Sequence, residues 1–264
     1  MTDWIVDLKE WREIRSRHLE LGDSVGFVPT MGALHDGHRS LIEKSLEEND
    51  RTVVSIFVNP TQFNDPSDFE KYPRTLDADH KLLSLWGANF LIAPKPEEMY
   101  PNGYEVLVEE TQDSRILCGQ FRPGHFSGVL TVVNKLLNLV QPTRAYFGEK
   151  DFQQLYLIKK MAESFLLPLE ICACPTVRET GGLAMSSRNQ RLGKKGAESA
   201  TRIYGLIKAF ANGTATYNQT LSNLNEICEK IEYLEIRWSR VLVAAWIDEV
   251  RLIDNVPVQK GEVS

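Results

Sequence analysis

No apolar run in this chain approaches the ~18–20 residues that a membrane-crossing helix requires, so no membrane partner is expected. The first residues include Asp3, Asp7, Glu10 and Glu13 and hold no apolar stretch of the leader-peptide kind, so no secretory signal is expected either. Cysteine is scarce. Cys118, Cys172, Cys174 and Cys228 show neither C-x-x-C metal spacing nor a disulfide framework, so reduced buried thiols and a cytoplasmic location are expected. Positive charge is in deficit, 30 Lys and Arg against 36 Asp and Glu, for a net charge of −6. That balance argues against nucleic acid or an anionic membrane as partner. It leaves ATP open, because a local cationic pocket fits inside an acidic protein. Also missing are G-x-x-x-x-G-K-[ST] and G-x-G-x-x-G, which sets aside P-loop ATPases and ordinary dinucleotide enzymes.

What is present is the composition of an ordinary globular protein: 264 residues, 42% hydrophobic and 25% charged, enough for one large or two modest domains. Residues 8–21 read as an amphipathic helix closed by Gly22. Residues 25–28 read as a strand, followed by a glycine-bearing turn and a helix to about Asn49. The run 52–58 is continuously apolar and β-branched, as a strand covered on both faces should be. A helix over 75–86, a short strand over 89–93, a loop over 97–102 and a helix over 126–139 come next. A strand over 144–147, a helix over 151–165 and a strand over 169–174 complete this part. Such alternation implies βαβ units: an α/β, Rossmann-like parallel sheet flanked by helices. Ligands of such sheets bind beyond the carboxyl ends of the strands.

Around residues 175–191 the texture changes, and Gly181-Gly182 is expected in or near a hinge. Beyond it come a polar helix-rich stretch, a turn region over 212–220, a helix to about Glu232, and apolar β-type runs over 241–247 and 250–253. The expected division is a ligand-binding domain over 1–176 and a smaller C-terminal α+β lid domain over 177–264.

Chemistry concentrates at the junctions. Pro29-Thr30-Met31-Gly32-Ala33-Leu34-His35-Asp36-Gly37-His38 joins a strand to a helix. His35 and His38, three apart, should point the same way, about 5–6 Å apart at their Cβ atoms. Asp36 or a neighbour is placed to cap the helix, whose free N–H groups favour an anion. Imidazoles there donate to a phosphoryl oxygen without a large permanent charge. A mere surface pair is the plainer alternative, but the strand before, the helix after, and Gly32 and Gly37 favour close approach of a ligand. Past residues 52–58 stand Asn59 and Gln62, carboxamides able to hold a hydroxy acid without adding charge, although Asn59-Pro60 also suits a strand-end turn.

At the second junction, Gly148-Glu149-Lys150-Asp151, the lysine can meet phosphate as a mobile point charge and Asp151 can cap the next helix. Gln154 lies one turn on. Met185-Ser186-Ser187-Arg188-Asn189 pairs hydroxyls with an always-charged guanidinium, which suits a triphosphate whose charge moves during reaction. Arg122-Pro123-Gly124-His125-Phe126 reads by itself as a Pro-Gly loop.

These motifs carry a family resemblance. P-T-M-G-A-L-H-x-G-H resembles the H-x-G-H signature of the nucleotidyltransferase superfamily, shared with class I aminoacyl-tRNA synthetases. In full form, together with S-I-F-V-N-P-x-Q-F over 55–63, G-E-K-D-x-Q-Q over 148–154 and M-S-S-R-N over 185–189, it is similar to the pantothenate synthetases, the pantoate–β-alanine ligases. The resemblance implies that pantoate is joined to β-alanine through a pantoyl adenylate, with release of pyrophosphate and AMP. It implies ATP contacts from Met31, Gly32, Ala33, Leu34, His35, Asp36, Gly37 and His38, then from Gly148, Glu149, Lys150, Asp151 and Val177, and from Met185, Ser186, Ser187 and Arg188. The catalytic set would be His35, His38, Lys150, Ser186, Ser187 and Arg188, with Gln62, Gln154 and Asn59 toward pantoate. The resemblance alone implies that Arg122 lines the pocket.

ATP would enter as a substrate with Mg²⁺, the metal held mainly by its phosphates rather than by protein ligands, and no organic prosthetic group is implied. Asp77 and Asp79 stand near where the family can present acidic residues to a metal. A homodimer is implied because relatives form one. The connection between Tyr233-Leu234-Glu235 and Val241 is shorter than relatives of this kind usually carry. The alternatives kept open are another H-x-G-H nucleotidyltransferase acting on a small phosphate ester, and a non-catalytic ATP-sensing module.

Overall fold

The computed structural model describes residues 1–101 and 103–259; Asn102, which ends the expected 97–102 loop, and residues 260–264 of the expected C-terminal domain lie outside the described residues. The chain divides into two units, Met1–Glu149 with Gln153–Cys174, and Lys150–Phe152 with Pro175–Ser264. The division near residue 176 therefore falls after Cys174, and a three-residue piece of the second junction groups with the later unit.

The first unit is built on six parallel strands in the order β1-β4-β3-β2-β5-β6. In chain order these are β1 (Asp3–Ile5), β2 (Val25–Thr30), β3 (Arg51–Ile56), β4 (Phe90–Ile92), β5 (Arg144–Gly148) and β6 (Glu170–Cys174). The helices are α1 (Leu8–Leu21), α2 (Asp36–Glu48), α3 (Pro66–Glu70), α4 (Leu76–Trp86), α5 (Pro96–Met99), α6 (Cys118–Phe121), α7 (His125–Val140) and α8 (Phe152–Ser164). Every interior residue of β3 is buried, as its unbroken apolar run requires. One core layer joins Val28, Val54 and Leu91 of the sheet to Ile42 of α2 and Leu83 of α4.

Helix α1 opens on Asp7, whose side chain accepts the Lys9 N–H, and closes at Gly22 in the left-handed region. Its buried residues serve the far end of α7: the Trp11 indole N–H donates to the Leu139 carbonyl, and the Arg15 guanidinium donates to the carbonyls of Val140 and Gln141. A cation on the orphan carbonyls of a helix C-terminus satisfies both their hydrogen bonding and the helix dipole. Strand order reverses between β2 and β5, so the crevice of this sheet opens where β2 and β5 end, at residues 31 and 149.

The second unit holds α9 (Lys194–Ala211), α10 (Tyr217–Asn225) and the antiparallel strands β7 (Lys230–Arg237), β8 (Arg240–Ile247) and β9 (Val250–Pro257). Ile203, Ile207 and Leu224 from the helices meet Leu234, Val241, Val243 and Leu252 from the sheet. Trp238-Ser239 and Asp248-Glu249 make the two hairpin turns, all four residues at positive φ as tight hairpin turns demand. The short connection before Val241 is thus a complete β-hairpin.

Several boundaries differ from expectation, each for a local reason. The helix expected to run to Glu232 ends at Asn225, and Lys230–Arg237 is a strand. A bulge between Ile231 and Tyr233 buries Tyr233 and Leu234 consecutively, which breaks the period-two alternation that marks a strand. α10 begins inside the expected 212–220 turn because Thr216 and Gln219 form a reciprocal capping box. The expected 97–102 loop overlaps α5, where Pro96 takes the first helical position and the Glu98 carboxylate accepts the Lys95 N–H. At the second junction a 3₁₀ turn, Glu149–Asp151, precedes the α-helix, which opens at Phe152. Strand β1 is too short to leave a pattern in the sequence.

Candidate active site

Strand β2 ends at Thr30, whose hydroxyl donates to the Ser55 carbonyl and accepts the Gly32 N–H. Gly32 (φ +82°) and Ala33 (φ +51°) then turn the chain through the left-handed region. A β-carbon on Gly32 would fall 3.0 Å from Asp79 Oδ2 and 3.1 Å from Ile56 Cγ2, so a side chain there would crowd both neighbours as well as strain the turn. The next two amides point at one buried side chain: Ala33 N and Leu34 N donate to the Asp79 carboxylate at 3.0 and 2.9 Å.

His35, rather than Asp36, is the N-cap of α2. Its Nδ1 accepts the Gly37 N–H at 3.1 Å, while His38 Nδ1 accepts the His35 N–H at 3.3 Å. This is a capping box made of two imidazoles, their ring centroids 4.1 Å apart and tilted by 36°. A ring nitrogen that accepts an amide hydrogen carries none of its own, so each neutral imidazole holds its proton on Nε2. Both histidines are thereby set as Nε2–H donors at a helix N-terminus.

Asn59, expected toward substrate, has no solvent exposure and is engaged wholly with protein. Its amide donates to the Gly128 carbonyl and to Gln62 Oε1, and its oxygen accepts from the hydroxyls of Tyr100 and Thr61. Its geometry makes it the support of Gln62. Gln62 is half-buried, with Nε2 2.8 Å from Met31 Sδ, which ties the carboxamide turn to the histidine turn. The Gln62 carbonyl accepts from Arg122 Nη2 at 3.0 Å and lies 2.8 Å from His125 Nδ1. Arg122 thus grips the turn that carries Gln62. Sequence reasoning missed Tyr100, His125 and Gly128; only the R-P-G-H run pointed near them. Of the neighbouring glutamines, Gln153 is buried and spent on Cys118 N and the carbonyls of Asp113 and Ile116, whereas Gln154 is half-buried.

In the second unit the Lys150 ammonium lies 3.8 Å from Asp151 Oδ1. The Lys150 carbonyl accepts from Asn255 Nδ2 at 3.0 Å. The adjacent Asp254 holds the other phosphate candidate segment, pairing bidentately with Arg178 at 2.6 and 2.8 Å. Arg178 also stacks 3.7 Å above the Tyr204 ring and donates to the Gly182 carbonyl. The Gly181-Gly182 pair lies in a short hairpin: Arg178 bridges Ala184, and Met185 N donates to the Val177 carbonyl. Ser186 caps the 3₁₀ turn Ser187–Arg191, its hydroxyl accepting the Arg188 N–H. Lys150, Val177 and residues 185–188 are therefore brought together through β9, by residues that sequence reasoning had left without a role.

Among the described residues, no group of three or more His, Cys, Asp or Glu side chains is disposed to hold a metal ion, and no helix is long and apolar enough to cross a membrane. All four cysteines are buried, and burial pushes the thiols of Cys172 and Cys228 up to about 11, so neither is a nucleophile at neutral pH.

Comparison with known proteins agrees with this geometry. The pantoate–β-alanine ligase family model matches residues 3–257. The pantothenate synthetase of Bdellovibrio bacteriovorus is 48% identical over 252 residues, covering 96% of each chain. A crystal structure of the pantoate–β-alanine ligase of Francisella tularensis, complexed with β-γ ATP and β-alanine, is 40% identical with a TM-score of 0.91 over 99% of each chain. That of the Thermus thermophilus pantothenate synthetase is 38% identical with a TM-score of 0.89, over 97% of this chain and 99% of that one. With the histidine capping box at the switch point and a match that runs almost end to end, the chain belongs to the pantoate–β-alanine ligase family.

Proposed function

We propose that this protein condenses pantoate with β-alanine in two steps. The pantoate carboxylate attacks the α-phosphorus of ATP, giving pantoyl adenylate and pyrophosphate; the β-alanine amine then attacks the activated carbonyl, releasing AMP and pantothenate. A carboxylate is a poor acyl donor to an amine, and adenylation converts its oxygen into a good leaving group. No side chain need become a covalent nucleophile. The protein's task is to position two anions and to stabilise charge that develops on phosphate oxygens.

The observation that carries this reading is the imidazole capping box. It sets two Nε2–H donors at a helix N-terminus, where both the helix dipole and the exposed amides favour a phosphate. His35 and His38 act on the phosphates from there, with the backbone of Met31, Gly32, Ala33, Leu34, Asp36 and Gly37 lining the nucleotide. Gly148 and Glu149 serve it from the end of β5. Lys150, Ser186, Ser187 and Arg188 supply cation and hydroxyl donors to the triphosphate, with Asp151, Val177 and Met185 beside the nucleotide. Gln62 and Gln154 hold pantoate, and Asn59 keeps Gln62 in place. ATP is taken as its Mg²⁺ complex, the ion travelling on the phosphates. The working form is a cytoplasmic homodimer, as expected of relatives.

Mass analysis of products from ATP, pantoate and β-alanine, with each omitted in turn, tests the reaction. The expected products are AMP, pyrophosphate and pantothenate, all dependent on pantoate. Transfer of a nucleotide to a phosphate ester, or ATP binding without turnover, would overturn the proposal.

A further inference from the structure

We propose that Asp79 is a positioning residue for the nucleotide turn, acting through the backbone of Ala33 and Leu34. The inference rests on the reading of residues 31–38 as the ATP turn. Asp79 sits in the first turn of α4, 2% exposed, and both of its oxygens face that turn. Oδ2 accepts the Ala33 N–H at 3.0 Å and the Thr75 hydroxyl at 3.0 Å, while Oδ1 accepts the Leu34 N–H at 2.9 Å. Three donors on a buried carboxylate leave little lone-pair capacity for a cation, so these contacts define a clamp and not a metal ligand.

The clamp is what makes the turn's conformation sustainable. Ala33 occupies the left-handed region at φ +51°, which a β-carbon disfavours, and its amide and the next one converge on a single side chain. Paired amides aimed at a fixed anion hold that shape before any ligand arrives. The residue that follows Leu34 is His35, the cap of α2, so the clamp also sets where the imidazole pair begins. In effect one buried charge on α4 fixes the entry angle of α2 and the approach of a nucleotide to the backbone at Met31 and Gly32.

Asp79→Asn keeps the shape but replaces one oxygen with an NH₂ group, which must face an N–H or a hydroxyl already donating. The KM for ATP should rise about tenfold or more and kcat should fall, since a hydrogen bond to a charged acceptor is among the stronger ones. The KM for pantoate should stay within about twofold, as Gln62 is held by other residues, and added Mg²⁺ should not restore the rate. A purely structural role would lower the melting temperature and leave both KM values unchanged, which would overturn the proposal. Recovery of ATP affinity at high Mg²⁺ would do the same, by making Asp79 a metal ligand.

A second readout needs neither activity nor a folded variant. In the unliganded wild-type protein the Ala33 and Leu34 amides, outside any helix or strand, should be protected against hydrogen exchange. Rapid exchange at both would overturn the clamp outright. Loosened amides in Asp79→Asn with an unaltered KM for ATP would instead remove the ATP reading beneath it.

Discussion

An imidazole is an ambiguous group until its surroundings choose a tautomer, and here the backbone chooses. Each Nδ1 accepts an amide hydrogen from the start of α2, which leaves Nε2–H as the donor on both rings. A donor placed where charge develops, with no reorganisation needed, is the kind of group whose loss is felt in the transition state. His38→Ala should therefore lower the rate of adenylate formation by about 10²–10³, the range for removing one such donor. Rapid-quench measurement of the first turnover checks this, and circular dichroism should show an unaltered fold. The histidine pair was legible in the sequence because strand, glycines and helix framed it. The Asp79 contacts were not, since a carboxylate 45 positions downstream leaves no local mark of the amides it receives. Nor was the full occupation of Asn59 by Gln62, Gly128, Thr61 and Tyr100.

Helix α7 shows how an element, rather than a residue, holds a site. Gly128 lies where α7 crosses the carboxamide turn, and a β-carbon there would fall 2.5 Å from the Thr61 carbonyl oxygen. Helix propensity alone would favour alanine at this position by about 0.5–1 kcal/mol. Overpacking a tight contact costs about 1–3 kcal/mol, so the clash wins. Gly128→Ala should lower stability by about that difference, on the order of 1–2 kcal/mol, and displace Gln62. Its KM for pantoate should rise while the KM for ATP changes less; thermal melting and paired substrate titrations would show it. Helices and strands with clean periodicity, such as α1 and β3, could be read from the sequence to within two residues. The bulged β7 could not, because one extra residue shifts the alternation on which the reading depends.

Across the whole chain the residues proposed to act on phosphate come from segments far apart in sequence. β9 does much of the gathering in the second unit: Asp254 fixes Arg178 at the base of the 177–185 hairpin, and Asn255 fixes the Lys150 carbonyl from 105 positions away. Asn255→Ala should leave that carbonyl and the Arg240 Nε without this partner, at a cost of about 1–3 kcal/mol. Turnover with ATP should fall while pantoate affinity holds, a pattern steady-state titration resolves. No window of sequence near residue 255 announces such a role. The family motifs made the reaction legible, but the supports of those motifs became visible only with the fold.

The proposed chemistry turns on adenylation of the pantoate carboxylate itself. With pantoate labelled with ¹⁸O in its carboxylate, one labelled oxygen should appear in each AMP and the other should remain in the amide of pantothenate. AMP without label, or label carried into inorganic phosphate alongside ADP, would contradict it.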